Sequence, residues 1–389
     1  MSMFTRSVLE LFSFPRYVLL NRQLRDSRIR TLYSAAALGL DNYSKTRERV
    51  QNQFTNMADR FRSKMEEISH PESKNLVFTE DLKNMVHLAG ENDVELVLKM
   101  LKRFNNQSKD LRFGTFVFGP VVMRMFYYLN KPDEALNAFT DSALDGIFDQ
   151  LISYQLLLDL LYKNEKYQDM LTVFEMIKDK QIQNARFPKN VVVLTMAACY
   201  KLNSEDSLKY ASDLWKNLQE VGHQPTRRAA TFIAALALNQ NAPHITAEII
   251  SNVGAQNYIT IRNLKAAALA DLNRLEDAVA VLRRAVQVDN PNQAKVSFTK
   301  DVVEKVKAAS EREERKEIAH EAQALLKRLS ENGHTIDQIL DDMVCTEIAV
   351  TDLHGPRNRE RRYIAATFER TERRDPPRSY QRPGLRDLL

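Results

Sequence analysis

Glycine is scarce in this chain, with 10 among 389 residues, and tryptophan occurs once. So little glycine argues against sheet-rich folds, and the abundance of Leu, Ala, Lys and Glu favours helices. Two cysteines, Cys199 and Cys345, stand far apart. They supply neither a disulfide framework nor the paired spacing of a zinc site. Cys199 lies in an apolar run and reads as a small buried hydrophobe. No apolar run approaches the roughly 20 residues that span a bilayer. The longest, 191–200 and 229–238, have the length of core helices. The seven histidines are scattered, and none pairs with a cysteine or carboxylate at ligand spacing. Asp341-Asp342 is a lone acidic pair, the pattern of a helix end. The segment 113–120 has two glycines but lacks the lysine and spacing of a phosphate loop. No catalytic constellation remains, and neither a metal nor a cofactor is expected.

What the chain does have is a period. Residues 153–182 read as two antiparallel helices around the polar turn Asn164-Glu165-Lys166. Tyr154, Leu157, Leu158 and Leu161 fall at helical spacing in the first, and Met170, Leu171, Phe174 and Ile177 in the second. The pair Met170/Phe174 recurs as Val94/Leu98, Ala135/Phe139, Ala211/Trp215, Ala247/Ser251 and Ala278/Leu282. The steps are 41, 35, 41, 36 and 31 residues, the period of a helical repeat. A single hairpin cannot bury its apolar face alone, so such repeats stack into a solenoid. That architecture accounts for the length without a second globular domain.

Charge is unevenly placed. Residues 1–34 hold six Arg, no Lys and two acids, a balance of +4; residues 355–389 hold ten Arg and five acids, a balance of +5. Against a whole-chain charge of +5, this leaves −4 for the body between them. The repeats therefore do not grip a polyanion by net charge alone. The arginine-rich, acid-poor leader at 1–34 has the composition of a mitochondrial transit peptide, with a cleavage region near Tyr33.

The remaining segments flank the array. Residues 44–70 are expected to form one amphipathic capping helix, with Val50, Phe54, Met57, Phe61, Met65 and Ile68 as its stripe. The repeats occupy 78–290. Residues 298–350 are expected to form charged C-terminal helices, the first a long polar stretch over 298–332 centred on the charge run 311–317. An Arg- and Pro-bearing tail, 354–389, is expected to be disordered.

Residues 154–180, with Tyr-x-x-Leu-Leu in the first helix and Val-Phe-Glu-Met in the second, resemble a pentatricopeptide repeat. The looser likeness runs over 78–290. The stretches 118–121, 199–208 and 227–241 resemble mitochondrial members of that family. The resemblance implies an all-α, right-handed helical-hairpin solenoid with flanking cap helices, in the mitochondrial matrix. It implies a non-enzymatic, RNA-associated protein that supports maturation of mitochondrial transcripts and thereby the respiratory chain. Its implied partners are mitochondrial RNA, either messenger precursors or ribosomal RNA, together with RNA-processing or ribosomal proteins. Two alternatives stand beside it: a structural part of the mitochondrial small ribosomal subunit, and a protein-protein scaffold.

In the family, one first-helix residue per repeat faces a base. Counting back from the second-helix anchors gives Thr79, Pro120, Gln155, Met196, Phe232 and Asn263. Thr79 and Asn263 fit the expected short polar type, and Gln155 can hydrogen-bond. Pro120, Met196 and Phe232 cannot read a base edge. A one-repeat, one-base code is therefore not expected, and phosphate contacts and stacking take its place. The basic candidates for those contacts are Lys163, Lys201, Arg227, Arg228, Arg262 and Lys265.

Overall fold

The first helices of the central repeats are buried on every side along their middle turns, and the architecture supplies a neighbour for each side. The computed structural model describes residues 31–107, 116–181, 185–254, 256–287 and 297–349. The leader at 1–30, the glycine-bearing segment 108–115 and the tail from 350 lie outside the described residues. A short helix, α1 (Ala35–Leu38), leads into α2 (Leu40–Gln53) and α3 (Ala58–Ser69). Helix pairs follow: α4 (Thr79–Leu88) with α5 (Val94–Asn106), α6 (Gly119–Leu129) with α7 (Pro132–Thr140), and α8 (Leu151–Lys163) with α9 (Tyr167–Lys180). Next come α10 (Lys189–Leu202) with α11 (Glu205–Glu220), α12 (Arg227–Asn239) with α13 (Pro243–Ser251), and α14 (Ile259–Asp271) with α15 (Leu275–Gln287). The strand β1 (Phe298–Thr299) precedes a further pair, α16 (Lys300–Arg312) and α17 (Lys316–Glu331). Strand β2 (Thr335–Ile336) lies parallel to β1, and α18 (Leu340–Val344) follows. The expected all-α helical-repeat solenoid is the fold observed.

Two expectations are corrected. The stretch 44–68 is not one helix: it breaks after Gln53, and α3 restarts at Ala58. Its apolar stripe serves two neighbours, since α2 packs on α4 while α3 packs on α5. A straight helix cannot follow both, and Met57, at the bend, is left 56% exposed. Likewise 298–332 is not one long helix. It breaks at Glu313-Glu314-Arg315, inside the charge run, and folds into the hairpin α16–α17 stacked on α14–α15. Val302 and Val306 on one arm and Leu325, Leu326 and Leu329 on the other are buried. The charges that favoured a solvated helix instead tie the hairpin down, through Lys305–Asp271, Arg283–Glu321 and Arg315–Glu276.

The hairpin turns share a device. Asn130, Glu165, Asn203, Asn241 and Asn273 all take left-handed backbone conformations, with φ of 51°, 59°, 44°, 54° and 56°. In four of these turns an amide reaches five residues back to close the first helix: Lys131 to Phe126, Lys166 to Leu161, Ala242 to Ala237 and Arg274 to Leu269. Asparagine tolerates this conformation better than other non-glycine residues. Neighbouring turns are also linked, as Asn130 and Asn164 exchange side-chain amide hydrogen bonds of 3.2 and 3.1 Å.

The first-helix layer is covered on its remaining side by the chain's own terminal segments. Helices α8, α10 and α12 each bury ten consecutive residues, 153–162, 191–200 and 229–238. Second helices and adjacent first helices account for three sides. Segment 32–38 lies on α8, and α18 lies across α12 and α14. The two segments join each other. Ile348 N–H donates to Leu32 O at 2.8 Å, Ser34 N–H donates to Ile348 O at 3.2 Å, and Tyr33 and Ile348 form a parallel bridge. Leu32, Leu38 and Val344 are at most 1% exposed.

Polar latches fix this strap in register. The carboxylate of Asp159, fully buried on α8, accepts from Tyr33 N–H at 3.1 Å and from the Tyr127 hydroxyl at 2.8 Å. Asp341 accepts from the Tyr200 hydroxyl at 2.7 Å and lies 3.4 Å from Lys201 Nζ. Burial opposes its charge, but Tyr200, Lys201 and the Cys345 thiol together hold its pKa below the usual value. Arg228 donates to Val344 O at 3.0 Å and to Thr346 O.

Two outcomes follow from the turns and the latch. Glu165 occupies the left-handed turn position that asparagine fills in the other four, so Glu165→Asn should raise stability by about 1 kcal/mol in urea unfolding. Burial pushes the Asp159 carboxyl from 3.8 up to about 7, against the pull of its hydrogen-bond donors and Lys163. The folded state then holds a proton that the unfolded state has lost through that window. The stability this supplies is complete below the unfolded pKa and is lost as pH rises through about 7. Asp159→Asn should remove that dependence. Its urea midpoint, compared with that of the parent chain, should rise between acid and neutral pH.

Candidate functional site

The closed groove decides where the base-reading candidates sit. Gln155 is 5% exposed, and its side-chain oxygen accepts from Asn190 Nδ2 at 2.9 Å. Asn263 is fully buried. Its amide donates to Ile259 O and Ser297 O, both at 2.9 Å, and its oxygen accepts from Thr299 N–H at 2.9 Å and from the Thr299 hydroxyl at 3.3 Å. Thr79, the first residue of α4, is 9% exposed. Met196 and Phe232 are core residues. Gln155 and Asn263, expected to face RNA, are thus buried and hydrogen-bonded within the fold. A polar residue at the family's spacing reaches a base only where the groove is open, and here Gln155 ties α8 to α10 while Asn263 ties α14 to the segment around β1.

The basic candidates divide into two groups. Lys201 and Arg228 turn toward the strap, and Lys163 lies over Tyr127 beside Asp159. The Lys163 ammonium lies 5.2 Å from the centre of the Tyr127 ring, and burial lowers its pKa. Lys201 pairs with Asp341, and Arg228 holds the two strap carbonyls. Lys201 and Arg228 thus hold the strap in place.

Arg227 and Arg262 lie elsewhere, on the edge formed by the starts of the first helices. Arg227 opens α12, and Arg262 lies in the first turns of α14. The Arg227 guanidinium stacks 3.1 Å from the centre of the Tyr258 ring, and Tyr258 stays 42% exposed. Arg262 donates to Asn257 Oδ1 at 3.0 Å. Because α15 runs back antiparallel to α14, its last turn brings Arg284 to the same edge. Burial depresses the pKa of Arg262, and the charge of Arg284 adds to that. Lys265 follows Arg262 by one helical turn and is partly exposed. Sequence reasoning missed Arg284 and Tyr258, because it treated repeats one at a time.

The edge has little to neutralise it. Among the described residues, Arg227, Arg228, Arg262 and Arg284 make no ion pair. Nε of Arg227 and Nη1 of Arg262 are buried without an acceptor. Helices α10, α12 and α14 carry no acid in their first turns. The opposite edge, where second helices start, carries Asp169 on α9, Glu205 and Asp206 on α11, and Glu276 and Asp277 on α15. Over these helices the array thus has a cationic edge and an acidic one, which its net charge conceals; α4, which starts with Glu80 and Asp81, and α13, which starts with no acid, stand outside the pattern.

No group of three His, Cys, Asp or Glu side chains converges among the described residues. No described helix is long and apolar enough to cross a membrane.

No family model matches the chain. Individual relatives do. The chain is 30% identical over 279 residues to the mouse pentatricopeptide repeat-containing protein 2, mitochondrial, covering 69% of this chain and 70% of the relative. The human protein of the same name is 30% identical over 294 residues, 73% and 71% of the two chains. The Xenopus laevis protein is 28% identical over 290 residues, 73% and 75%. With repeats of this period, helical hairpins throughout and matches of this extent, the chain belongs to the family of the pentatricopeptide repeat-containing protein 2.

Proposed function

We propose that this chain is a non-catalytic, RNA-associated repeat protein of the mitochondrial matrix, supporting maturation of mitochondrial transcripts and thereby the respiratory chain. The observation that carries the reading is the cationic edge at Arg227, Arg262 and Arg284, set on a repeat array whose relatives are named mitochondrial. Polyanions are the ligands such an edge favours. The buried Gln155 and Asn263 point to contacts with the RNA backbone in place of a base-by-base code. The same burial favours, as a second reading, a seat on ribosomal RNA in the small ribosomal subunit, where shape and phosphate contacts suffice.

Ultraviolet crosslinking in intact mitochondria, with sequencing of the attached RNA, tests this. Crosslinks at junctions of messenger precursors are expected. Crosslinks confined to small-subunit ribosomal RNA would move the function to the ribosome, and none at all would overturn an RNA role.

The leader also has a testable limit. Leu32 and Tyr33 are 1% and 6% exposed and belong to the strap, so cleavage after Tyr33 would remove part of the fold. The processed protein, read by mass spectrometry of its first peptide, should begin at or before Leu32.

A further inference from the structure

The cationic edge is costly to the fold as it stands. Arg227 and Arg228 occupy the first positions of α12, and Arg262 follows close to the start of α14. Each cation there opposes the helix dipole, whose positive end lies at the same place. The charges also repel one another: Arg227 acts on Arg228, and Arg284 acts on Arg262. Arg228 is satisfied by neutral carbonyls, which leave its charge uncancelled. Acids do stand at the starts of the neighbouring second helices α11 and α15, so the pattern is not a general shortage of acids.

We infer that Arg227, Tyr258, Arg262 and Arg284 form a seat for single-stranded RNA, in which the guanidinium groups hold a backbone phosphate and the exposed part of Tyr258 takes an adjacent base. The inference rests on the proposed RNA association and assigns it a place. Guanidinium groups match phosphate oxygens through paired donors, and an anion there would cancel both the mutual repulsion and the opposition to the dipoles. Tyr258, at the boundary of α14 and 42% exposed beneath Arg227, separates RNA from other polyanions. An acidic peptide would satisfy the arginines and leave the ring unused. A duplex would keep its bases stacked inside, away from the ring. Only an unpaired strand offers phosphate and base face together.

The test uses the full chain, a labelled unstructured RNA oligonucleotide and fluorescence anisotropy over a salt series. Arg262→Gln and Arg284→Gln should each weaken binding about three- to tenfold and reduce the salt slope by about 0.7. Tyr258→Ala should weaken binding about fivefold, while Tyr258→Phe retains it. Thermal melting should show Arg262→Gln as stable as the parent or more so, since it removes a repelling charge, and Arg284→Gln close to the parent, since Arg284 repels Arg262 but favours the C-terminal end of α15. Arg284 is exposed, which keeps its variant informative if Arg262→Gln folds poorly. Polyglutamate should compete far less well than unlabelled RNA. Equal competition would assign the edge to an acidic protein. Parent-like affinity and slope in all variants would overturn the seat while leaving RNA association intact. A parent chain that binds no RNA would overturn both.

Discussion

The structure depends on closing the fourth side of its first-helix layer. Helices buried over ten consecutive residues have no face to give to water, and a repeat array alone covers only three of their sides. The terminal segments provide the rest, and they bring buried anchors of their own in Leu32, Leu38 and Val344. Each such side chain contributes about 1.5–3 kcal/mol on leaving water. The polar latches play a different part. A carboxylate such as Asp159, desolvated until its pKa approaches neutrality, is not a source of net stability. With Arg228 and Asp341 it fixes which part of the strap meets which helix, a choice that apolar contact alone leaves loose.

That closure reorders the functional surfaces. In an open solenoid the inner face of the first helices is the place to hold a strand. Here that face is interior, and its polar side chains are engaged with backbone: Asn263 joins α14 to β1, and Asp159 joins α8 to the strap. What remains outside are the outer helices and the two edges. The edges differ in sign because every hairpin runs the same way, so that first helices all start on one side and second helices on the other. A small bias in which helix starts with acids is summed along the stack.

Much of the fold was legible in the sequence. The period of the anchor pairs and the polar turn at Asn164-Glu165-Lys166 follow from local rules, since a hairpin's pattern is written within about forty residues. The breaks at 54–57 and 313–315 were not legible, because neither holds a proline or glycine and both arise from what the helix packs against. Counting along the repeat located the candidates on first helices but not their surroundings. The burial of Gln155 and Asn263 was not legible because it depends on neighbours in the next repeat, Asn190 for one and Ser297 and Thr299 for the other; the strap itself is still less local, since Ile348 and Leu32, which bond to each other, are at opposite ends of the described chain. Arg227 and Arg262 were found as single residues, while the group they form with Arg284 and Tyr258 needed the stacking of one hairpin on the next.

One sequence signal did foreshadow the edge, and it lay in the helix starts and not in the total charge. Acids in a first turn stabilise a helix by roughly 0.3–1 kcal/mol each, and cations there cost about as much. The second helices α9, α11 and α15 follow the stabilising pattern, while α10, α12 and α14 do not. Within the hairpins α10–α11 and α14–α15 the two kinds of helix stand side by side, so background composition alone does not produce the contrast there. Arg227 and Arg228 together put two opposing charges on one helix start, a cost that burial of Ala229 to Leu238 behind them easily carries. A well-packed first-helix layer is thus what allows the edge to hold charge that the fold itself does not use.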